Sequence, residues 1–187
     1  MKAMTFICAG LLAAPIAFAK PKVPSSSLVN YDYVTVQFVS ENIDQYDCTQ
    51  TGLALKGSYE FEHDIFAVAS LADVSGDGCG STTFSAGAGY KVQLNESYDA
   101  YASLSYANTS VDVGQGDSGL VLAGGVRGFV VPKLEAKVEL AHQTAFSGNT
   151  SLNGGVAYHL QDAFYALADI VLGSESSGLS LGVRIDF

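Results

Sequence analysis

Hydrophobic and polar residues alternate along most of this chain. In residues 51–62 ("TGLALKGSYEFE"), Leu53, Leu55, Tyr59 and Phe61 occupy every second or fourth position, between small, polar and charged residues. Residues two apart in a β-strand lie on the same face of the strand. The pattern therefore predicts a strand with one apolar and one polar face, and the same spacing recurs as far as the last residue, Phe187.

Ten segments show this alternation, and only the third, which contains "IFAVASLA", is apolar at both odd and even positions. The ten segments are approximately Tyr31–Ser40, Thr51–Glu62, Ile65–Asp73, Thr82–Leu94, Tyr98–Asn108, Leu120–Val131, Leu134–Phe146, Thr150–Leu160, Ala163–Leu172 and Leu179–Phe187. Strands that cross a bilayer need about 9–11 residues, whereas strands of soluble proteins have about 5–6. The lengths predict an all-β, antiparallel up-and-down transmembrane barrel of ten strands, or of eight if one hairpin has been divided wrongly.

The composition of the two faces indicates how this barrel is oriented. The apolar faces are long, while the polar faces are rich in Gly, Ala and Ser with scattered charges. Small side chains fit a narrow interior, so we expect the apolar faces to contact lipid. The alternative is a soluble, lipocalin-like barrel, whose inward faces would need bulky apolar side chains.

Aromatic residues on the apolar faces fall near the two ends of the predicted strands. One predicted girdle contains Tyr59, Phe61, Phe66, Tyr90, Tyr98, Tyr158, Phe164 and Phe187, and the other contains Phe38, Phe84, Tyr106 and Phe146. Membrane barrels carry such girdles at both lipid headgroup levels. The connections near the first girdle are short, as periplasmic turns are, and most of those near the second are longer.

The first residues have the features of a secretory signal peptide. Lys2 precedes an apolar run, and Ala17-Phe18-Ala19 provides the small-x-small pattern of a cleavage site. We expect cleavage after Ala19, a periplasmic linker over residues 20–30, and a barrel domain over residues 31–187. After removal of Lys2, eight Lys and Arg (9 − 1) face nineteen Asp and Glu, which gives a net charge of −11. So acidic a chain has no electrostatic basis for binding nucleic acid.

The chain ends with the segment "SLGVRIDF", in which Ser180, Gly182, Ile185 and Phe187 are the informative positions. This segment resembles the C-terminal assembly signal of outer-membrane β-barrel proteins, and the chain resembles the small barrels of the OmpA/OmpX-like group. The resemblance implies a location in the outer membrane, and partnership with periplasmic chaperones and the barrel-assembly machinery. Members of that group usually have eight strands, two fewer than predicted here.

Charged residues on the inward faces are nearly balanced. The predicted charge network consists of Lys56, Glu60, Lys91, Asp99, Arg127, Glu135, Lys137, Glu139, Asp169, Arg184 and Asp186. Confined charges must be paired or hydrated, so we expect ion pairs that plug the lumen. We expect Arg127 to face Lys137, with Glu135 and Glu139 diagonal to it. The alternative is a narrow channel or transporter for ions or small solutes.

The outward loops carry many acidic residues and neither Lys nor Arg. The acidic residues are Glu41, Asp44, Asp47, Asp73, Asp77, Asp112, Asp117 and Glu175. They indicate hydrated loops, or cation-bridged contacts with lipopolysaccharide. Residues 73–78 ("DVSGDG") imitate a calcium loop, but Phe84 occupies the closing position, so calcium is not expected. Cys48 and Cys79 lie in the first two of these loops, and a disulfide between them is predicted.

Enzymatic chemistry finds little support in the sequence. His142 and Thr144 lack the Ser that outer-membrane deacylases pair with His, and His142 with Asp73 imitates an outer-membrane protease only weakly. His63 and His159 have no neighbours suited to metal binding. We therefore expect no catalytic residues, metal or cofactor, and predict a structural or surface-interaction role. A lipid-modifying or proteolytic enzyme is the second alternative, after the channel.

Overall fold

The computed structural model describes residues 27–43, 48–61, 63–174 and 176–187. The predicted signal peptide, most of the predicted linker and the acidic residues Asp44, Asp47 and Glu175 lie outside these ranges. The ten strands are β1 (Tyr33–Ile43), β2 (Cys48–Glu60), β3 (Ile65–Gly76), β4 (Cys79–Asn95), β5 (Tyr98–Val111), β6 (Asp117–Val131), β7 (Leu134–Gln143), β8 (Asn149–Gln161), β9 (Phe164–Gly173) and β10 (Ser176–Asp186).

Every strand pairs with its sequence neighbours in antiparallel fashion, and β10 pairs with β1 to close the barrel. At the closure, Val36 of β1 lies opposite Val183 of β10. This confirms the predicted up-and-down barrel of ten strands and excludes the alternative of eight. The C-terminal strand is therefore the strand that closes the sheet, and closure leaves no free edge for another chain to pair with.

The two ends of the barrel differ. The first described residue (Ser27), the C-terminus and the connections β2–β3, β4–β5, β6–β7 and β8–β9 lie at one end, which we call the turn end. Several of these tight turns use left-handed backbone conformations, for example at Asp64 (φ 63°) and Lys133 (φ 73°). The opposite end, which we call the loop end, carries the connections between the members of each remaining hairpin. The β1–β2 and β3–β4 connections are shorter than predicted, because β2 begins at Cys48 and β4 at Cys79.

A continuous belt of exposed apolar side chains surrounds the barrel. Val138 is 58% exposed, Leu140 58% and Leu181 55%, although each lies within a strand. At the loop end the outward positions become polar, as Asn42, Thr82 and Asn108 show. Such a belt would be unfavourable in water, and it has the form of the lipid-facing surface of a membrane barrel. Among the described residues, no helix is long and apolar enough to span a membrane.

A disulfide joins Cys48 and Cys79 at the loop end, as predicted. It connects the first residue of β2 with the first residue of β4, and so fastens two neighbouring hairpins to one another. β4 has 17 residues and β6 has 15, more than the 9–11 or so that cross a bilayer. The cross-link therefore lies where the sheet extends beyond the apolar belt.

Candidate functional site: the lumen and its closed end

The wall formed by β3, β4 and β5 presents small side chains to the lumen. Above Phe66 and Val68, the inward residues of these three strands form two layers at successive heights. The first layer contains Ser70, Ser85 and Ala107, and the second contains Ala72, Thr83 and Thr109. Hydroxyl groups pair across the strands, with Ser70 Oγ 2.8 Å from Ser85 Oγ and Thr83 Oγ1 2.9 Å from Thr109 Oγ1. In these two layers the wall carries hydroxyl and methyl groups, with no charged side chain and none larger than threonine.

Residues 27–32, which we call the strap, cross the lumen at the turn end. Ser27 Oγ donates to the Asp99 carboxylate, 3.0 Å from each oxygen, and the Leu28 amide donates to the Glu96 carbonyl at 2.9 Å. At the other end of the strap, Asp32 Oδ1 accepts from the Glu60 amide at 2.6 Å. The strap therefore runs from the β4–β5 turn across to β2 and the start of β1.

Tyr31 is the bulkiest side chain of the strap and is 2% exposed. Its ring centroid lies 4.8 Å from that of Phe66 and 6.5 Å from that of Tyr101, in a cluster that also buries Val29. Burial raises the pKa of the Tyr31 hydroxyl, so the group is neutral at physiological pH. Among the described residues, none makes a hydrogen bond with this hydroxyl. Contacts of the ring, and not a hydrogen bond of the hydroxyl, therefore hold Tyr31.

Two cations complete the pocket around the Tyr31 ring. Lys91 Nζ lies 4.8 Å and Arg127 Cζ 4.7 Å from the ring centroid, within the range of cation–π attraction. Lys91 also forms an ion pair with Glu60 at 3.0 Å. The pocket thus has an aromatic floor and cationic sides.

A chain of buried charges occupies the rest of the turn end. Glu135 lies between two guanidinium groups, with one carboxylate oxygen 2.6 Å from Arg127 and the other 2.9 Å from Arg184. Arg184 continues to Asp186 at 2.7 Å and lies over the Tyr165 ring at 4.1 Å. Arg127, Glu135 and Arg184 are each 5% exposed or less. Strap and charge chain together fill this end of the barrel.

The middle of the lumen is more open. Lys137 lies 3.9 Å from Asp169, while Glu139 accepts hydrogen bonds from Tyr101 at 2.6 Å and Asn153 at 3.0 Å. Lys56 projects into the lumen where water reaches it, and no ion pair within the described part of the chain involves it. A cavity of about 80 Å³ lies beside these residues. This volume holds a few water molecules.

The structure places all eleven residues of the predicted charge network at inward positions. It brings Arg127 opposite Lys137 and diagonal to Glu135, with which Arg127 pairs. Glu139, however, contacts Tyr101 and Asn153 and is not bonded to Arg127. Asp99 is fully buried and accepts from Ser27, a strap residue that the predicted network did not include.

The assignment of Phe66 to the outer aromatic girdle is wrong. Phe66 is 3% exposed and lies inside the barrel against Tyr31, because Gly89 on β4 leaves room for its ring. The outward neighbour is Ile65, which is 45% exposed. The other aromatic residues assigned to the girdles are on the outside of the barrel, for example Tyr90 and Tyr106, which are 53% and 52% exposed.

The predicted first strand begins at Tyr31, so the sequence analysis does not separate the strap from β1. The Asn30 side chain is a signal that separates the two elements. Asn30 Oδ1 accepts from the Asp32 amide at 3.2 Å and Asn30 Nδ2 donates to the Asp32 carbonyl at 3.1 Å. Asx turns of this kind interrupt a strand. The described end of the predicted linker, residues 27–30, therefore lies against the barrel interior.

The remaining polar candidates do not form a reactive group. His142 Nδ1 lies 2.9 Å from Thr150 Oγ1, and His159 Nε2 lies 2.7 Å from the Asp162 carbonyl oxygen. Asp73 accepts from Thr82 at 2.9 Å. Within the described residues, no group of three or more His, Cys, Asp or Glu side chains could hold a metal ion.

Solved structures with the same fold are membrane barrels. The β domain of the Bordetella autotransporter BrkA is 10% identical, has a TM-score of 0.52, and covers 84% of this chain and 99% of its own. An outer membrane channel from Pseudomonas putida F1 is 12% identical, has a TM-score of 0.51, and covers 85% of this chain and 96% of its own. No family model matches the chain, and neither does any curated protein. The likeness concerns the fold alone.

Proposed function

We propose that this protein is an integral outer-membrane β-barrel with a closed lumen and a structural or surface-interaction role. The apolar belt supports membrane integration, since its exposed Leu and Val side chains have lipid as their natural solvent. In this setting the turn end faces the periplasm and the loop end faces outward. The proposed location agrees with the signal peptide and the C-terminal assembly signal predicted from the sequence.

The closure of the turn end carries the proposal for the lumen. Tyr31 fills one side of the mouth, and the Arg127–Glu135–Arg184 chain fills the other. Buried charges are favourable only where partners compensate them, and these charges are paired at 2.6–2.9 Å. A conducting pore would have to keep water in this layer. The geometry therefore favours a plugged barrel over a channel.

The loop end supports a role at the cell surface. Outward positions there are polar, five described acidic residues occupy this end, and the Cys48–Cys79 disulfide fixes the first two hairpins. The five residues are Glu41, Asp73, Asp77, Asp112 and Asp117. The natural partner of such a rim is lipopolysaccharide, bridged through divalent cations.

During biogenesis, the periplasmic chaperones and the barrel-assembly machinery are the expected partners. Membership of the OmpA/OmpX-like group is proposed from the signal peptide, the small amphipathic barrel and the C-terminal segment together.

Planar-bilayer recording of the refolded, processed chain tests the closed lumen. We expect a silent bilayer after insertion, verified by recovery of folded protein from the membrane. Stable single-channel steps from the wild-type chain would contradict the proposal of a closed lumen and favour the narrow channel. Activity toward lipid or peptide substrates that is lost on His142→Ala would favour the enzymatic alternative.

A further inference from the structure

The strap differs from the rest of the closed end in how it is held. The charge chain Arg127–Glu135–Arg184 is built from side chains of barrel strands, whereas the strap lies outside the sheet. At the β4–β5 turn it is anchored by the Ser27–Asp99 hydrogen bonds and by one backbone bond between Leu28 and Glu96. At its other end, Asp32 accepts hydrogen bonds from the Glu60 and Phe187 amides. A segment that lies outside the sheet opens at lower free energy than a strand within a closed ladder.

The inward side chains of β3, β4 and β5 directly beyond Tyr31 are mostly small. Gly89 and Ser103 flank Phe66 at the level of the strap, and Gly87 and Ser105 flank Val68 in the next layer. In the two layers beyond Val68, on β3 to β5, no inward side chain is larger than threonine. On this side of the barrel, the Tyr31 ring and the side chains that surround it therefore block the lumen at the turn end.

We propose that the strap is a gate and that Tyr31 is its stopper. Withdrawal of residues 27–32 from the mouth opens a narrow, water-filled path along the β3–β5 wall, while the charge chain on the opposite side stays in place. This inference goes beyond the closed barrel proposed above, because it gives the closed state an open counterpart.

The vacated pocket has a defined ligand chemistry. Phe66 and Tyr101 provide ring packing, and Lys91 and Arg127 lie at cation–π distance from the ring that the pocket holds. A small, neutral phenol matches this environment, since p-cresol is the Tyr side chain without its backbone. Cyclohexanol is a ring of similar size, but it has no π-face for the two cations.

Single-channel recording of Tyr31→Ala tests the gate. We expect stable steps where the wild-type chain is silent, and we expect added p-cresol to close them more effectively than cyclohexanol does. Tyr31→Phe retains the ring and should remain silent. The wild-type chain with p-cresol provides the baseline for effects of the additive on the bilayer itself.

Tyr90→Ala is the matched control, because it removes the same atoms from the outer face, where Tyr90 is 53% exposed. It should remain silent. Heat-modifiable gel mobility verifies that each variant is folded. Ser27→Ala weakens the anchor of the strap without changing the pocket, so it should give brief openings. This variant tests the gate if Tyr31→Ala does not fold.

Silence of the folded variants would overturn the gate while leaving the closed barrel intact. Steps that p-cresol leaves unchanged would place the opening elsewhere, and would equally contradict a stopper at Tyr31. Conductance of the wild-type chain would instead contradict the proposed function.

Discussion

Glu135 has an unusual position for a single side chain, because it compensates two buried cations at once. Its two carboxylate oxygens lie 2.6 Å from Arg127 and 2.9 Å from Arg184, and the carboxylate itself is almost inaccessible to water. Without this carboxylate, two guanidinium groups of like charge would remain near each other in a dry layer. Removing one partner of a buried ion pair costs far more than the pair contributes against an apolar replacement.

The substitution Glu135→Gln measures this dependence. We expect it to lower the free energy of unfolding by about 3 kcal/mol, since Arg127 stays buried without the carboxylate it pairs with, and Arg184 keeps only Asp186. Glu139→Gln is the matched control: its hydrogen-bond partners Tyr101 and Asn153 are neutral, and the nearby Lys137 is 32% exposed and stays hydrated, so a smaller loss of about 1.5 kcal/mol is expected. Urea unfolding of the refolded proteins in detergent micelles gives both values. Equal losses would contradict a special role for Glu135.

Single residues also mark the limit of prediction from sequence. The inward placement of the charged residues follows from their spacing, because alternate residues share a face. The position of Phe66 does not follow, because its segment is apolar at odd and even positions alike. Only the pairing of Phe66 with Gly89 on β4 shows that its ring has room inside. That information is in the register between strands, which one sequence does not contain.

At the scale of elements, each strand is amphipathic, and the proposed function places lipid against its apolar face. Val138 lies in the middle of β7 on the outward face and is 58% exposed, between the outward neighbours Val126 and Gly154. The strand has ten residues, which is the length that just crosses a bilayer. Val138 should therefore lie near the bilayer midplane.

Val138→Arg tests this depth. We expect the free energy of folding into lipid vesicles to become less favourable by about 2–4 kcal/mol, because a charge would lie in hydrocarbon. Asn42→Arg places the same side chain on the outward face of β1 beyond the apolar belt, where about 0–1 kcal/mol is expected. Equilibrium folding into vesicles measures both. A similar effect at the two sites would argue against a membrane around the belt.

The number and order of the strands could be predicted from the period of two, but their ends could not. β4 begins at Cys79, three residues before the predicted start at Thr82, and β1 begins at Tyr33 instead of Tyr31. Hydrophobic alternation fades beyond the apolar belt, although the hydrogen-bonded ladder continues. Strand ends beyond the belt are fixed by pairing and by turns such as that of Asn30 and Asp32.

At the scale of the whole molecule, the lumen is more densely filled at the turn end than further along. The strap and charge chain lie at the turn end, and the cavity of about 80 Å³ lies in the lumen beside Lys56 and Lys137. The lumen is also uneven around its circumference. Beyond Val68, two layers of β3–β5 present only small residues, whereas six of the eleven charged residues of the predicted network lie on β7, β9 and β10. The composition of each strand face can be predicted from the sequence. The arrangement of small and charged residues around the lumen cannot, because it depends on which strands are neighbours in the closed barrel.

The central claim is that lipid surrounds the apolar belt. Fractionation of cells that produce the protein, followed by gel electrophoresis of heated and unheated samples, tests it most directly. We predict that the processed chain sediments with the outer membrane, requires detergent for extraction, and migrates differently after heating because the closed barrel resists unfolding. A monomeric, detergent-free protein in the periplasmic extract would contradict the claim.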